Sequence, residues 1–350
     1  FSSLINTILI SPRRWGKSSL VTRAAEKAMQ KDNSLRFVFM DMYNVRTEEE
    51  FYPLLAQKVL QASSSKMEGI AENIKKFIGI LGPRLSYNPG ATEDFSLSFD
   101  WQELKKQPDE ILDLAEKIAQ DKNLKIIVCI DEFQNISGFE NPLATQQKMR
   151  AHWQKHQKTA YCLYGSKRHM LMETFASPSM PFFKFGNIMF LQKIEATDWE
   201  IFIKERFEET KKKIKPEIAL KIAEYADFHP YYVQQLAQLC WFRTKTDCKP
   251  ETVEKSLENL SMQLSLLFQT ITDGLSNTQV NFLSALLNEA TKLSSQETIN
   301  KYKLGTTANV SRIRQALLEK DIIDIQNQEI SFSDPIYQHW LKKYYFKIKA

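Results

Sequence analysis

The sequence predicts an α/β protein: a mostly parallel sheet covered by helices on both faces, then an all-helical segment, then a small unit of helices closed by a hairpin. Three observations carry this expectation. In the first half, apolar runs of strand length alternate with amphipathic stretches of helical length, the pattern of strands joined by crossover helices. From Ala196 to Thr270 the strand-like runs stop and only helical periodicity remains. Beyond Asn277 the order becomes helix, helix, turn, helix, hairpin.

The elements follow in order. Thr7–Ile10 reads as a strand, Lys17–Lys31 as a helix and Leu35–Met42 as a second strand. Thr47–Ala62 has acidic early turns and places Phe51, Leu54, Leu55 and Val59 at helical spacing. Met67–Leu81 is a further candidate helix. Gly82–Gln102 carries Pro83, Pro89 and Gly90 and then alternates Phe95, Leu97 and Phe99, which suggests a hairpin-like insertion or a mobile loop. Regularity returns with a helix at Asp109–Lys122 and a buried strand at Leu124–Ile130. Helix Pro142–His156, strand Ala160–Tyr164, helix His169–Phe175 and strand Asn187–Gln192 complete the α/β region. Four helices are then expected at Thr197–Glu209, Pro216–Ala226, Pro230–Thr244 and Pro250–Thr270. Last come Asn277–Glu289, Ser295–Tyr302, a turn at Gly305, Ala308–Lys320, and a hairpin of Ile322–Ile325 with Glu329–Phe332. That order is the layout of a winged helix.

Composition bounds the class. At 350 residues the chain is long enough for two or three domains, here drawn as 1–195, 196–272 and 273–350. The 43% apolar fraction and 22 Phe allow real cores, and 25% charged residues is ordinary for a soluble chain. These values exclude collagen-like, disordered and disulfide-scaffold proteins. A net charge of +5 permits a nucleic-acid partner without implying one. Cys129, Cys162, Cys240 and Cys248 form no CxxC pair and read as structural thiols of a cytoplasmic protein. The longest apolar runs fall far short of a membrane span, so no membrane partner is expected.

The segment that carries chemistry is Thr-Ile-Leu-Ile-Ser-Pro-Arg-Arg-Trp-Gly-Lys-Ser-Ser-Leu-Val, residues 7–21. A strand runs into a tight loop, then Gly-Lys-Ser, then a helix, which is the context of a phosphate-binding P-loop. Ser11 stands where the first glycine of that signature is usual, and this matters only if the position needs a positive φ. Ser11, Pro12, Arg13, Arg14, Trp15, Gly16, Lys17, Ser18 and Ser19 are the candidate nucleotide-binding residues. Backbone amides of the loop and helix start bind phosphate oxygens, and Gly16 permits close approach. Lys17 neutralises the β- and γ-phosphates, and the Ser18 hydroxyl is a Mg²⁺ ligand.

About a hundred residues on, Lys125-Ile-Ile-Val-Cys-Ile-Asp-Glu-Phe-Gln ends a buried strand in two adjacent carboxylates. Asp131 is the second candidate metal ligand, and Glu132 the general base that polarises the attacking water. Ser166, just after the strand Ala160–Tyr164, is the candidate contact to the γ-phosphate, with a helix N-cap as its ordinary alternative. Arg168 and Lys184 are candidate cations for a neighbouring subunit's nucleotide. ATP or ADP with Mg²⁺ are therefore the expected ligands.

Ser11–Ser18, Ile130–Gln134, Tyr164–Lys167 and Ser333-Asp-Pro-Ile-Tyr-Gln-His-Trp-Leu341 together resemble the archaeal-type predicted ATPases, which lie near the STAND and origin-recognition branches of the AAA+ proteins. The resemblance spans nearly the whole chain. It implies a P-loop sheet, a helical lid and a C-terminal winged helix. The complete nucleotide site joined to that lid and winged helix points to an ATP-hydrolysing conformational switch, the alternative being a winged-helix DNA-binding factor in which nucleotide is mainly structural. In STAND relatives a Gly-x-Pro motif of the lid meets adenine. Here Phe228-His229-Pro230 matches it, so Pro230 carries over while Phe228 stands in the glycine position. A lid arginine like the second sensor of other AAA+ proteins is not evident, which favours a switch over a motor. The chain opens on Phe1, so a preceding segment, which in relatives helps to hold adenine, is expected.

Partners are less legible. Asn309, Arg312, Arg314 and Gln315 are the polar candidates for the outer face of a recognition helix. DNA contact through them is the alternative to packing against protein, whether an unknown protein partner or a second copy.

Overall fold

A computed structural model of the chain describes residues 1–64, 76, 84–87, 95–98, 108–290, 292–326 and 329–348. They divide into two compact units, Phe1–Leu191 and Gln192–Ala350. The candidate helix Met67–Leu81 lies outside the described residues except at position 76. Of the expected insertion at 82–102, two short strands are described.

The first unit is built on strands β1 (Thr7–Ile10), β2 (Leu35–Asp41), β5 (Lys125–Asp131), β6 (Thr159–Gly165) and β7 (Asn187–Phe190). A separate antiparallel hairpin pairs β3 (Arg84–Tyr87) with β4 (Phe95–Ser98). The main sheet has the order β2-β5-β6-β1-β7, and every neighbouring pair is parallel. Helices α1 (Lys17–Lys31), α2 (Glu48–Ala62), α3 (Pro108–Leu112), α4 (Leu114–Asp121), α5 (Pro142–Trp153) and α6 (Arg168–Ala176) make the connections.

Strand residues alternate between two cores because successive side chains point to opposite faces. Ile8, Ile10, Ile126, Val128, Ile130, Tyr161 and Leu163 join Phe51, Leu55 and Val59 of α2 in the larger core. Leu9, Ile127, Cys129, Ala160, Cys162 and Tyr164 face Val21 and Ala25 of α1 in the smaller one. All seven residues of β6 are buried, as a strand covered on both faces requires. Cys129 and Cys162 are register neighbours, and both are free and buried.

The expected helix Asp109–Lys122 is divided into α3 and α4. Asp113 sits at the break with φ −89° and ψ −6°, its carboxylate turned to His152 at 2.8 Å and His156 at 3.1 Å. An aspartate that finds partners off the helix axis gives up regular helical geometry there. Three residues on, buried Glu116 accepts from the backbone N–H of Gln157 and Lys158, which fixes the chain entering β6.

The second unit is helical: α7 (Ala196–Glu208), α8 (Pro216–Tyr225), α9 (Pro230–Arg243), α10 (Pro250–Gln263), α11 (Ser265–Asp273), α12 (Asn277–Leu287), α13 (Gln296–Tyr302), α14 (Thr307–Glu319) and α15 (Pro335–Trp340). Strands β8 (Ile323–Gln326) and β9 (Glu329–Phe332) form the antiparallel wing. One core runs from Trp199 and Phe207 through Leu236 and Phe268 to Val310, Tyr337 and Leu341. The helix starts are those the sequence marks. Pro216, Pro230 and Pro250 occupy the first helical position, where their missing N–H costs nothing. Ser276 forms a reciprocal capping box with Gln279.

Two features depart from expectation. The stretch Pro250–Thr270 is two helices, divided at Leu264 with φ −91° and ψ −3°. Helix α15 was not foreseen; it is nucleated by Asp334, whose Oδ1 accepts from the N–H of Ile336 and Tyr337, both at 2.9 Å. The Tyr232 hydroxyl of α9 also donates to that carboxylate. Among the described residues, no helix is long and apolar enough to cross a membrane.

Candidate functional site

The carboxyl edge of a parallel sheet is where side chains from separate strands meet. Loop Ser11–Gly16 leaves β1 there, Asp131 ends β5, and Ser166 follows β6. Strand β6 lies between β1 and β5, so the two motif strands are close without being adjacent.

The loop is bent by two left-handed residues, Arg14 at φ 61° and Gly16 at φ 82°. Ser11 is only 2% exposed and does not adopt a positive φ. The serine therefore fits its position without strain, and the conformation that favours glycine has moved to Arg14. Gly16 is the N-cap of α1, and no side chain caps that terminus. The first amides of the helix are left for a ligand.

Lys17 opens α1 and is 7% exposed. Its ammonium donates to the carbonyls of Ser11 at 3.3 Å and Pro12 at 3.1 Å. Burial lowers its pKa from the ordinary lysine value, against the pull of Glu132 and Asp131. The Ser18 hydroxyl donates to Asp131 Oδ2 at 2.6 Å. Burial pushes the Asp131 carboxyl up from its ordinary value, opposed by that hydroxyl and by the Glu132 N–H.

Glu132 is itself left-handed, φ 51°. Its Oε2 accepts from the Ser166 hydroxyl at 3.0 Å, from the Ser166 N–H at 3.3 Å, and from the Gln134 amide nitrogen. Arg13 Nε lies 3.5 Å from the Ser166 hydroxyl. Helix α6 starts at Arg168 with Lys167 as its N-cap. Ser166 is thus not a helix cap.

These groups line one cleft of about 560 Å³, whose walls include Arg13, Arg14, Gly16, Lys17, Ser18, Ser19, Asp131, Glu132 and Ser166. Ser11, Pro12 and Trp15 belong to the loop but are not wall residues; Ser11 and Pro12 contribute the carbonyls that hold Lys17. Tyr43, Arg46, Gln134, Asn135 and Lys167 also line the cleft; of these the sequence marked only Gln134 and Lys167, as the ends of quoted motifs without a role. Their signal was positional, since each follows the carboxyl end of β2, β5 or β6. Asn135 ties two of these exits together by donating to the Met42 carbonyl at 2.8 Å.

Other candidates are engaged elsewhere or belong to the second unit. The Arg168 guanidinium sits 4.6 Å from the Phe190 ring centroid, and the Lys184 ammonium 5.2 Å from that of Phe183. Pro230 is a buried residue of the second unit at the first turn of α9. Phe228, in the glycine position of the lid motif, has φ 56°. The backbone there keeps a conformation natural to glycine although the side chain is bulky. Within α14, Asn309 is turned back to the Leu304 carbonyl at 2.7 Å and Gln315 to Glu319 at 2.9 Å. The Gln315 bond is on the exposed surface of the helix.

The family model described as "Predicted AAA-ATPase" matches residues 3–186, more than half of the chain. The chain belongs to this AAA-ATPase family. It is a P-loop ATPase, and a second model, "Probable winged helix domain", matches residues 266–343 of this AAA-ATPase. Its fold is similar to that of the Walker-type ATPase of Pyrococcus abyssi, at 16% identity and TM-score 0.64, covering 96% of this chain and 90% of that one. It is similar also to the ORC2 protein of Aeropyrum pernix, described in ADPNP–ADP complexes, at 14% identity and TM-score 0.54, covering 97% and 87%. No curated protein matches it by sequence.

Proposed function

We propose that this AAA-ATPase is a Mg²⁺-dependent conformational switch of the STAND kind, closed around ADP, opened by exchange for ATP and timed by hydrolysis. The observation that carries the reading is the 2.6 Å contact of Ser18 with Asp131 in the cleft that also holds Lys17 and Glu132. In this reading the loop Ser11–Gly16 and the amides of Lys17, Ser18 and Ser19 wrap the phosphates. Lys17 exchanges its two carbonyl acceptors for charged β- and γ-phosphate oxygens, which bind an ammonium more strongly.

Ser18 and Asp131 fit Mg²⁺, since both offer hard oxygen donors at one point. Among the described residues no group of three His, Cys, Asp or Glu stands ready to hold a metal alone. That suits an ion whose other ligands are phosphate oxygens and water. When bound, the ion supplies positive charge against the β- and γ-phosphates. Glu132 accepts a proton from the attacking water as general base, and Ser166 holds Glu132 and reads the γ-phosphate. Pro230 and the turn before it meet adenine. The second unit divides functionally into a lid, 196–272, and a winged helix, 273–350.

The winged helix is read as working through protein contacts, a reading supported by Asn309, one of the polar candidates of α14, being turned back to the Leu304 carbonyl. Purification without added nucleotide, followed by release and chromatography, is expected to yield bound ADP. Lys17→Ala is expected to lose nucleotide binding by at least about 100-fold, as for removal of a preorganised phosphate donor. Unchanged ATP affinity in that variant contradicts the reading.

A further inference from the structure

We infer that Gln134 is a positioning residue for Glu132 and that residue 165 is glycine to make room for it. The inference rests on the reading of Glu132 as general base. Three donors converge on one oxygen of the Glu132 carboxylate, Oε2: the Ser166 hydroxyl, the Ser166 N–H and the Gln134 amide nitrogen. The other oxygen has no hydrogen-bond partner among the described residues. One oxygen is thereby anchored while the second is left for water, the arrangement a general base needs.

Gln134 is fixed on three sides. It is 1% exposed. Its backbone lies in the short 3-10 turn Phe133–Gly138. The neighbouring Phe133 ring is locked 5.4 Å from Phe182 and 5.7 Å from Phe175, centroid to centroid. The orientation of the amide is set by chemistry, since only its nitrogen can donate to a carboxylate. Its oxygen then points at Gly165, and a Cβ built on Gly165 would lie 1.9 Å from that oxygen. No larger residue fits at position 165 without displacing the amide.

The same oxygen is buried without a hydrogen-bond partner. A buried unpaired acceptor is destabilising, and glutamine has no packing advantage over leucine or methionine in such a place. Only the donor end, directed at Glu132, accounts for a glutamine here.

The test is steady-state ATPase kinetics on the full chain with Gln134→Ala, Gly165→Ala, the double variant, and Gln134→Met, which keeps the volume without the donor. Glu132→Gln is the reference. Gln134→Ala and Gln134→Met are expected to lower kcat about 10- to 100-fold, the loss typical of a misplaced reacting group, with KM for ATP within about twofold. Gly165→Ala is expected to lower kcat by displacing the amide. The double variant should be no worse than Gln134→Ala, because the alanine side chain then enters emptied space.

Multiplying losses, a change in KM with kcat intact, or wild-type kcat in Gln134→Met overturns the inference. If Glu132→Gln lowers kcat and the Gln134 variants do not, only this inference falls. If Glu132→Gln is as active as wild type, the assignment of the base falls as well.

Discussion

The two units solve opposite problems with polar groups. In the first, carboxylates, a lysine and hydroxyls are gathered at the open edge of the sheet, and burial raises Asp131 and lowers Lys17 from their ordinary pKa values. In the second, polar groups close gaps between helices. Tyr232 donates to Asp334, Thr272 and Tyr337 share a hydrogen bond of 2.8 Å, and the Trp340 ring nitrogen donates to Ser265 at 3.1 Å. The first arrangement places its polar groups on the wall of a cleft, where a ligand can reach them, while the second places these groups between packed helices. Substitutions at the cleft of the first unit should therefore change chemistry and leave the fold intact, and those at the interhelical bonds of the second should do the reverse.

The largest break of this contrast is expected from Glu132→Gln. It should lower kcat about 10²- to 10⁴-fold, the usual worth of a general base, with ATP binding retained. Equilibrium binding alongside single-turnover hydrolysis checks both halves. In the second unit, Asp334→Ala removes the cap of α15 and the acceptor of Tyr232. It should cost about 1–2 kcal/mol in denaturant unfolding, the size of a lost N-cap, with ATP affinity unchanged. A weakened ATP affinity without a stability loss would erase the distinction.

Acid should act chiefly on the first unit. Although burial raises the Glu116 carboxyl, the N–H groups of Gln157 and Lys158 and the Gln120 amide outweigh it, and its pKa is lowered. A folded pKa below the unfolded one contributes stability that is complete above the ordinary carboxylate range and is lost as pH falls through the lowered value. Unfolding midpoints should hold at neutral pH and drop below about pH 4, and Glu116→Gln should flatten that drop. The smallest effect is expected from Arg312→Ala with Arg314→Ala. At about 50 mM salt, duplex DNA anisotropy should show no specific binding to lose. A steep salt-dependent affinity, abolished by the pair, would restore DNA as a partner.

The architecture was legible because its signals are local and redundant. The alternation of strand and helix periods, the prolines at helix starts and the capping serine each point to the same elements. The P-loop and the Asp131-Glu132 pair were legible for the same reason, each being a short motif with a fixed backbone context. What was hidden depends on contacts far apart in sequence. The break at Asp113 needs His152 and His156, and the cap of α15 is reinforced from Tyr232. The cleft walls Tyr43 and Arg46 are read only once β2 is known to end beside β5, where Asp41 pairs with Asp131. Backbone conformation was hidden too. Ser11 needs no positive φ, while Arg14 and Phe228 carry positive φ with no glycine to announce it.

Amide hydrogen exchange with and without MgATP tests most directly whether the phosphates enter at the P-loop. Slowed exchange concentrated at Gly16–Ser19 and at the end of β5 is expected. Unchanged exchange there, with protection confined to other segments, would contradict the account.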